Sequence, residues 1–364
     1  MPAGGARSSP KQPPLRARGE KVARRARVRR SAAPVLAGLV LLAGVLAAAW
    51  RYEVSSTKIP AGAFPVKLVV PPGASAEAIA RQLHALRLVR HPLVFRAVAR
   101  WRGVSAQLKA GEYALSGPLS LQGILDALAR GDVVRRDLTI PEGRNIDEIA
   151  DLVVAEGLDR AAFLEVARDP SPVRDLDPAA TSLEGYLFPD TYDVPQSPEA
   201  PRVLVRRMLE RFREVIDPQL GRMKERGLGV RQVVTLASIV ELETARAGER
   251  PRIAGVFWNR LDKRMPLQTD PSVIYALKQA GRWDGNIRKR DLEIDSPYNT
   301  YRRRGLPPGP LGSPGKEAIL AVLEPASSKD LYFVSRNDGS HEFSETLAAH
   351  NRAVNRFQRR RASS

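Results

Sequence analysis

Beyond residue 63 the apolar positions fall into short blocks whose spacing alternates between the strand and the helix period. Val66-Lys67-Leu68-Val69-Val70 reads as a strand, stopped by Pro71-Pro72-Gly73. Ser75 then opens a helix running to about Leu88, with Ile79, Leu83 and Leu86 spaced for one buried face. A second helix is predicted over 92–101, and Gly111-Glu112-Tyr113-Ala114-Leu115 reads as a returning strand. From Thr181 to about Gln358 the helical period dominates, with helices predicted over 201–216, 231–244, 252–263, 271–279 and 315–323. The chain then predicts a hairpin: Leu331-Tyr332-Phe333-Val334, the turn residues Asn337-Asp338-Gly339, and His341-Glu342-Phe343. A last helix from about Thr346 carries His350 and Asn351. This mixture predicts an α+β fold, because strands and helices do not alternate as in a doubly wound sheet.

One block has neither period. Residues 32–50 contain no charged side chain, and as a helix they span about 28 Å, close to the thickness of a hydrocarbon core. Arg29 and Arg30 precede the block, and Trp50, Arg51 and Tyr52 follow it, as suits an interfacial belt. The alternative is a cleaved signal peptide with Ala47-Ala48-Ala49 as its small-residue site, but the apolar run exceeds the usual signal core of about 7–15 residues. Ten Lys or Arg lie in residues 1–30 against the single acid Glu20. That bias places the N-terminus in the cytoplasm and everything after Tyr52 outside, so a single-pass inner-membrane protein with a periplasmic body is expected.

Charge separates the ends from the middle. The formal net charge is +18, of which residues 1–30 hold +9 and the segment from Arg352 onward another five Arg without an acid. Only about +4 remains for residues 31–351, so no basic face suited to nucleic acid is expected. Cysteine is absent, and the four histidines (His84, His91, His341, His350) are scattered, so neither a metal site nor a thiol nucleophile is expected. The resulting layout is a disordered basic arm (1–31), an anchor (32–52), a linker (53–63), a small module (64–116), a connecting α/β region (117–180), a larger domain (181–358) and a basic tail (359–364). The strand–helix–helix–strand order of the small module resembles LysM, a fold that often binds amino-sugar polymers.

An internal repeat runs at an offset of 70 residues: Val70-Pro71-Pro72-Gly73-Ala74-Ser75 with Ile79, Ala80 and Leu83 matches Ile140-Pro141-Glu142-Gly143-Arg144-Asn145 with Ile149, Ala150 and Val153. Each copy has a strand stopped by Pro, a Gly turn, a polar N-cap and an apolar helix stripe. Duplication and convergence on common punctuation explain this equally well, and no chemistry follows from it.

The helix over 231–244 holds the candidate chemistry. On a helical wheel Val233, Leu236, Ala237 and Val240 centre its apolar face, and Glu241 and Glu243 fall on opposite edges. At about 100° per residue the two carboxylates point about 200° apart, so they cannot flank one sugar bond together. A carboxylate at an apolar edge has its pKa raised, as a general acid requires. The helix alone does not choose between the two, nor between catalysis and a polar boundary.

Several blocks decide what periodicity leaves open. Ser238-Ile239-Val240-Glu241-Leu242-Glu243-Thr244 resembles the active-site signature of the YceG-like endolytic murein transglycosylases. So do Glu184-Gly185-Tyr186-Leu187-Phe188-Pro189-Asp190-Thr191-Tyr192 and Leu267-Gln268-Thr269-Asp270-Pro271-Ser272-Val273-Ile274-Tyr275. Tyr298-Asn299-Thr300-Tyr301, the run Gly305-Leu306-Pro307-Pro308-Gly309-Pro310, Leu331-Tyr332-Phe333-Val334 and the stretch from His341 to Asn351 follow in family order. Leu242 departs from the pattern, where a polar residue such as Lys is expected.

The resemblance implies a lytic transglycosylase that cleaves the MurNAc–GlcNAc β-1,4 bond of nascent peptidoglycan without water, leaving 1,6-anhydroMurNAc ends and so ending glycan elongation. It implies Glu241 as the catalytic acid and base, with no cofactor and no metal. Gln268, Thr269, Asp270, Tyr298, Asn299, Thr300 and Tyr301 are the candidate substrate-binding residues, the polar ones for sugar hydroxyls and the tyrosines for stacking. The expected partners are glycan strands and the peptidoglycan synthases of elongation or division. The alternatives are a hydrolytic muramidase and a wall-binding protein without activity. The label aminodeoxychorismate lyase, carried by some relatives, would need a Schiff-base Lys and a phosphate cradle, and no glycine-rich phosphate loop is present.

Overall fold

The computed structural model describes residues 34–48, 50–52, 64–117 and 119–359. The expected arm 1–31, the linker 53–63 and nearly all of the tail 359–364 lie outside the described residues. Helix α1 (Pro34–Tyr52) has 19 residues with a mean hydropathy of 1.8 and is not buried against the protein, so it is long and apolar enough to cross a membrane.

The chain divides into two compact units. The first runs to Asp132, except for Ala110–Glu112, which belong with Val133–Ser364 in the second. The boundary between the units, after Asp132, falls within the connecting region 117–180.

The first unit contains β1 (Val66–Val70), α2 (Ala76–Ala85), α3 (Pro92–Trp101), the Tyr113–Leu115 part of β2 (Gly111–Leu115) and α4 (Leu121–Arg130). β1 and β2 form a two-stranded sheet, so the strand–helix–helix–strand order predicted over 64–116 is present. The Ser75 hydroxyl accepts Ala78 N–H at 3.2 Å and starts α2. α2 stops at Ala85, earlier than predicted, because Arg87 adopts a left-handed φ of 59°. Leu88 N–H and Val89 N–H then fold back onto Leu83 O, which buries both side chains.

The second unit continues with β3 (Arg135–Thr139), α5 (Ile146–Ala155), α6 (Arg160–Ala167), β4 (Thr191–Pro195), α7 (Ala200–Ile216), α8 (Leu220–Glu225), α9 (Val230–Glu243), α10 (Arg250–Asp262), α11 (Asp270–Gln279), α12 (Lys316–Leu323), β5 (Tyr332–Ser335), β6 (His341–Ser344) and α13 (Leu347–Val354). β3 and β4 pair antiparallel from Arg135 with Pro195 to Thr139 with Thr191. The predicted hairpin is β5–β6, with Tyr332 opposite Ser344 and Ser335 opposite His341. One continuous core reaches from Leu138 to Leu323.

α9 lies in the middle of that core. Val233, Val234, Leu236, Ala237, Ile239 and Val240 are all fully buried, because α10, α11 and α12 pack around the helix. The wheel predicts one apolar face and finds it. The packing then buries the flanks too, because a helix enclosed by three others keeps solvent contact only at its first and last turns.

Both copies of the repeat share one geometry. Gly73 and Gly143 take φ of 71° and 78°, and Ser75 and Asn145 cap the helices that follow. Ile79, Ala80 and Leu83 are buried in α2, and Ile149, Ala150 and Val153 in α5. The copies differ in their surroundings. A Cβ on Gly73 would meet nothing, whereas one on Gly143 would lie 3.1 Å from Leu242 Cδ2 at the end of α9.

Candidate active site

Contacts at the start and middle of α9 fix where its last turn carries Glu241. At the start, Gln232 Oε1 accepts Gly229 N–H at 2.9 Å, and Arg231 Nε donates to the Asp177 carboxylate at 2.9 Å. Tyr186 donates its hydroxyl to the same carboxylate at 2.6 Å. In the middle, the buried Ser238 hydroxyl donates to Thr235 O at 2.8 Å and accepts Leu311 N–H at 3.0 Å. That bond draws the segment 311–315 against the helix.

At the end of α9 the Glu241 side chain is only 5% exposed. Oε1 accepts from Arg250 Nη2, and Oε2 accepts Gly315 N–H at 2.9 Å. Gly315 is the N-cap of α12, so the carboxylate rests on the positive end of a helix. The same Arg250 Nη2 also donates to Glu142 Oε2 at 3.2 Å. Arg250 is nearly buried at the first residue of α10, while Glu142 is 46% exposed.

Two glycines make this meeting possible. The 141–145 turn and the 311–315 segment exchange backbone bonds, Gly143 N–H to Ser313 O at 2.8 Å and Ser313 N–H to Arg144 O at 2.9 Å. A Cβ on Gly315 would sit 1.8 Å from Glu142 Oε1, so only glycine leaves the Glu142 carboxylate its place. A side chain on Gly143 would combine a left-handed φ with crowding of Leu242.

Opposed forces set the charge on Glu241. Burial pushes its carboxyl up, Gly315 N–H pulls it down, the Glu142 charge pushes it up and Arg250 pulls it down. The balance lies above the ordinary carboxylate value. Such a group can hold a proton and give it up at modest cost, and its anion has two donors waiting.

Glu243 does not share this place. Burial pushes it up to about 7, and its charged neighbours are Asp270 and Arg260. Leu242, between the two acids, is 40% exposed and lines a cleft of about 350 Å³ with Glu142, Gly143, Tyr275, Trp283 and Leu311. Glu241 lies one layer behind that wall. A Cβ on Gly143 would approach its Cγ to 3.8 Å, so the glycine thins the wall there.

The seven candidate substrate residues are not on this wall. Gln268 is exposed at a left-handed φ of 52°, and its N–H donates to Thr300 O at 3.2 Å. Thr269 is buried and gives its N–H to Thr300 Oγ1 at 3.0 Å. Asp270 accepts the Tyr301 hydroxyl at 2.6 Å, and both lie on the Glu243 side of α9, where their charges act on each other. Tyr298 packs on Tyr275 with ring centroids 4.8 Å apart. Asn299 and Thr300 are buried with protein partners: the Asn299 amide donates to Leu292 O and Ile294 O, and Thr300 Oγ1 meets Ser272 Oγ at 2.8 Å. Those two side chains hold their segment in place.

Sequence reasoning passed over Glu142, Arg250 and Gly315. One signal was present: at the turn of the repeat the first copy has Pro72 where the second has the charged Glu142. Among the described residues no group of three or more His, Asp or Glu is placed to hold a metal ion.

Comparisons with known proteins converge. The sequence model of the YceG-like family matches residues 68–356. An endolytic murein transglycosylase of Bacillus subtilis (strain 168) is 32% identical over 308 residues, covering 80% of this chain and 84% of that protein. One of Streptococcus pneumoniae (serotype 2, strain D39) is 34% identical over 323 residues, covering 79% of this chain and 58% of that protein. A crystal structure of a yceG-like protein from Listeria monocytogenes superposes with a TM-score of 0.55 at 33% identity, covering 79% of this chain and 98% of that one.

Proposed function

Because the chain belongs to the YceG-like family, we propose that it is a peptidoglycan lytic transglycosylase in which Glu241 is both acid and base. One observation carries the assignment of the residue: Glu241 is a buried carboxyl, raised above its ordinary value, with Arg250 and Gly315 N–H ready for its anion. As an acid it protonates the glycosidic oxygen leaving C1 of N-acetylmuramic acid. As a base it takes the proton of the C6 hydroxyl of the same sugar, whose oxygen attacks C1 and closes the 1,6-anhydro ring. One carboxyl suffices for this sequence, whereas hydrolytic glycosidases need a pair about 5–9.5 Å apart. The separate facing of Glu243 supports that reading.

The glycan lies along the cleft walled by Glu142, Leu242 and Tyr275, and its scissile bond meets Glu241 where Gly143 leaves that wall thin. Gln268, Asp270, Tyr298 and Tyr301 offer further sugar contacts on the Glu243 side, with Thr269, Asn299 and Thr300 holding that surface in shape. The βααβ part of the first unit is a LysM-like module that holds the strand without chemistry. α1 anchors the protein in the cytoplasmic membrane with its catalytic unit outside, beside the peptidoglycan synthases whose strands it would shorten.

Mass spectrometry of products from purified glycan strands tests the reaction. Anhydromuramyl ends with the wild type and none with Glu241→Gln support it. Reducing-end muramic acid would assign a hydrolase, and intact strands a binding protein.

A further inference from the structure

We infer that Glu142 is a positioning residue of the active site, which acts through Arg250 to keep Glu241 able to carry a proton. The inference rests on the reading of Glu241 as acid and base.

Arg250 offers one nitrogen, Nη2, to two carboxylates. Its Nε has no hydrogen-bond partner among the described residues, so the guanidinium does not make the two-pronged fork that would lock it onto Glu241. An arginine paired with a single buried glutamate would hold that glutamate ionised, and an ionised glutamate cannot protonate a leaving group. With Glu142 in the same group, the trio is neutral when Glu241 carries a proton and singly negative when it does not. Glu142 thus balances the arginine, and the proton on Glu241 becomes the cheap state. Once that proton has gone to the glycosidic oxygen, Arg250 and Gly315 N–H stabilise the anion left behind.

Three further observations point to a built arrangement. The turn carrying Glu142 is tied to the 311–315 segment by two backbone bonds. Gly315 leaves a space that the Glu142 carboxylate fills. Glu142 also lines the cleft, so it stands where substrate would arrive. Other charged groups nearby are matched or face solvent. Glu148 pairs with Lys278 at 2.6 Å and lies 3.9 Å from Arg144, Asp270 holds Tyr301, and Lys316 and Glu317 at the start of α12 are exposed.

The test is the pH profile of kcat and KM on purified glycan strands, using the full chain in detergent. Glu142→Gln keeps size and removes the charge, so Arg250 turns wholly to Glu241 and the alkaline limb of kcat moves to lower pH. At tenfold per pH unit, the expected loss is about ten-fold in kcat at pH 7.5, shrinking to less than about three-fold near pH 5. Glu142→Asp, which keeps the charge, should recover part of the loss. Gly315→Ala is the second variant: its methyl group displaces the flexible end of Glu142 without altering any charge, and the same limb should move the same way. A kcat profile of unchanged shape in folded Glu142→Gln, whether or not its height falls, overturns the inference. That outcome is distinct from failure of the underlying reading, which would appear as anhydro product from Glu241→Gln.

Discussion

Glu241 and Gly315 are 74 positions apart in the chain, and the carboxylate of the first accepts the backbone N–H of the second at 2.9 Å. The contact joins the last turn of α9 to the first of α12, so the proton carrier is held by two helices that the core itself packs together. Glu241→Gln removes the titrating proton and keeps the shape. Turnover should fall by about 10²–10⁴ or more, since general acid–base assistance is worth that much and one residue serves both proton transfers. Breaking a buried ion pair typically costs about 3–5 kcal/mol, but Glu142 remains for Arg250, so the loss of stability should fall below that range. Glu243→Gln should keep near-normal turnover. Product assays paired with thermal melts check both, and an inactive Glu243→Gln beside an active Glu241→Gln would reverse the assignment.

Ser238→Ala tests how the segment 311–315 is held. The substitution leaves Leu311 N–H buried without its acceptor, at a cost of about 1–3 kcal/mol. Activity should drop more than the stability loss alone explains, because Gly315 follows Leu311 on the same segment. Denaturant titration and kcat measured at a temperature where the variant is fully folded separate the two effects. Full activity in a destabilised variant would show that this bond serves the fold alone.

Stability should decline as pH rises from about 4.5 toward 8. Burial pushes Glu184 up to about 8 and Glu243 up to about 7, so the native state holds protons that the unfolded chain releases near the ordinary glutamate value. Between those limits the native state binds more protons than the unfolded one, and stability falls with increasing pH. Below about 4.5 both states are protonated and this contribution is fully present. The melting temperature should therefore fall across this range, and Glu184→Gln should flatten the slope. An equal slope in that variant would remove Glu184 from the account.

α1 should keep the protein in the membrane. An uncleaved anchor predicts that the full chain resists alkaline carbonate extraction and keeps the basic residues before Pro34 attached. A mature protein beginning at Trp50 would identify the segment as a signal peptide instead.

Local chemistry made much of the fold legible. Pro92 at the first turn, Ser75 as a cap and Gly111 before an alternating run each act within a few residues, so the predicted spans 92–101 and 111–115 coincide with α3 and β2. Glu241 was singled out by the resemblance of the contiguous string Ser238–Thr244 to a family signature, and the spacing of Glu241 and Glu243 required them to face apart. The sequence could not determine what each carboxylate meets. Arg250 and Glu142 are 108 positions apart, and Gly315 lies 74 beyond Glu241; neither separation leaves any periodicity to read. Nor does residue type distinguish Asn299, buried with its amide spent on Leu292 O and Ile294 O, from an asparagine waiting for a sugar. Helix periods and caps are properties of neighbouring residues. A shared guanidinium nitrogen and the burial that raises a pKa exist only once distant segments pack, so the tertiary structure alone decided them.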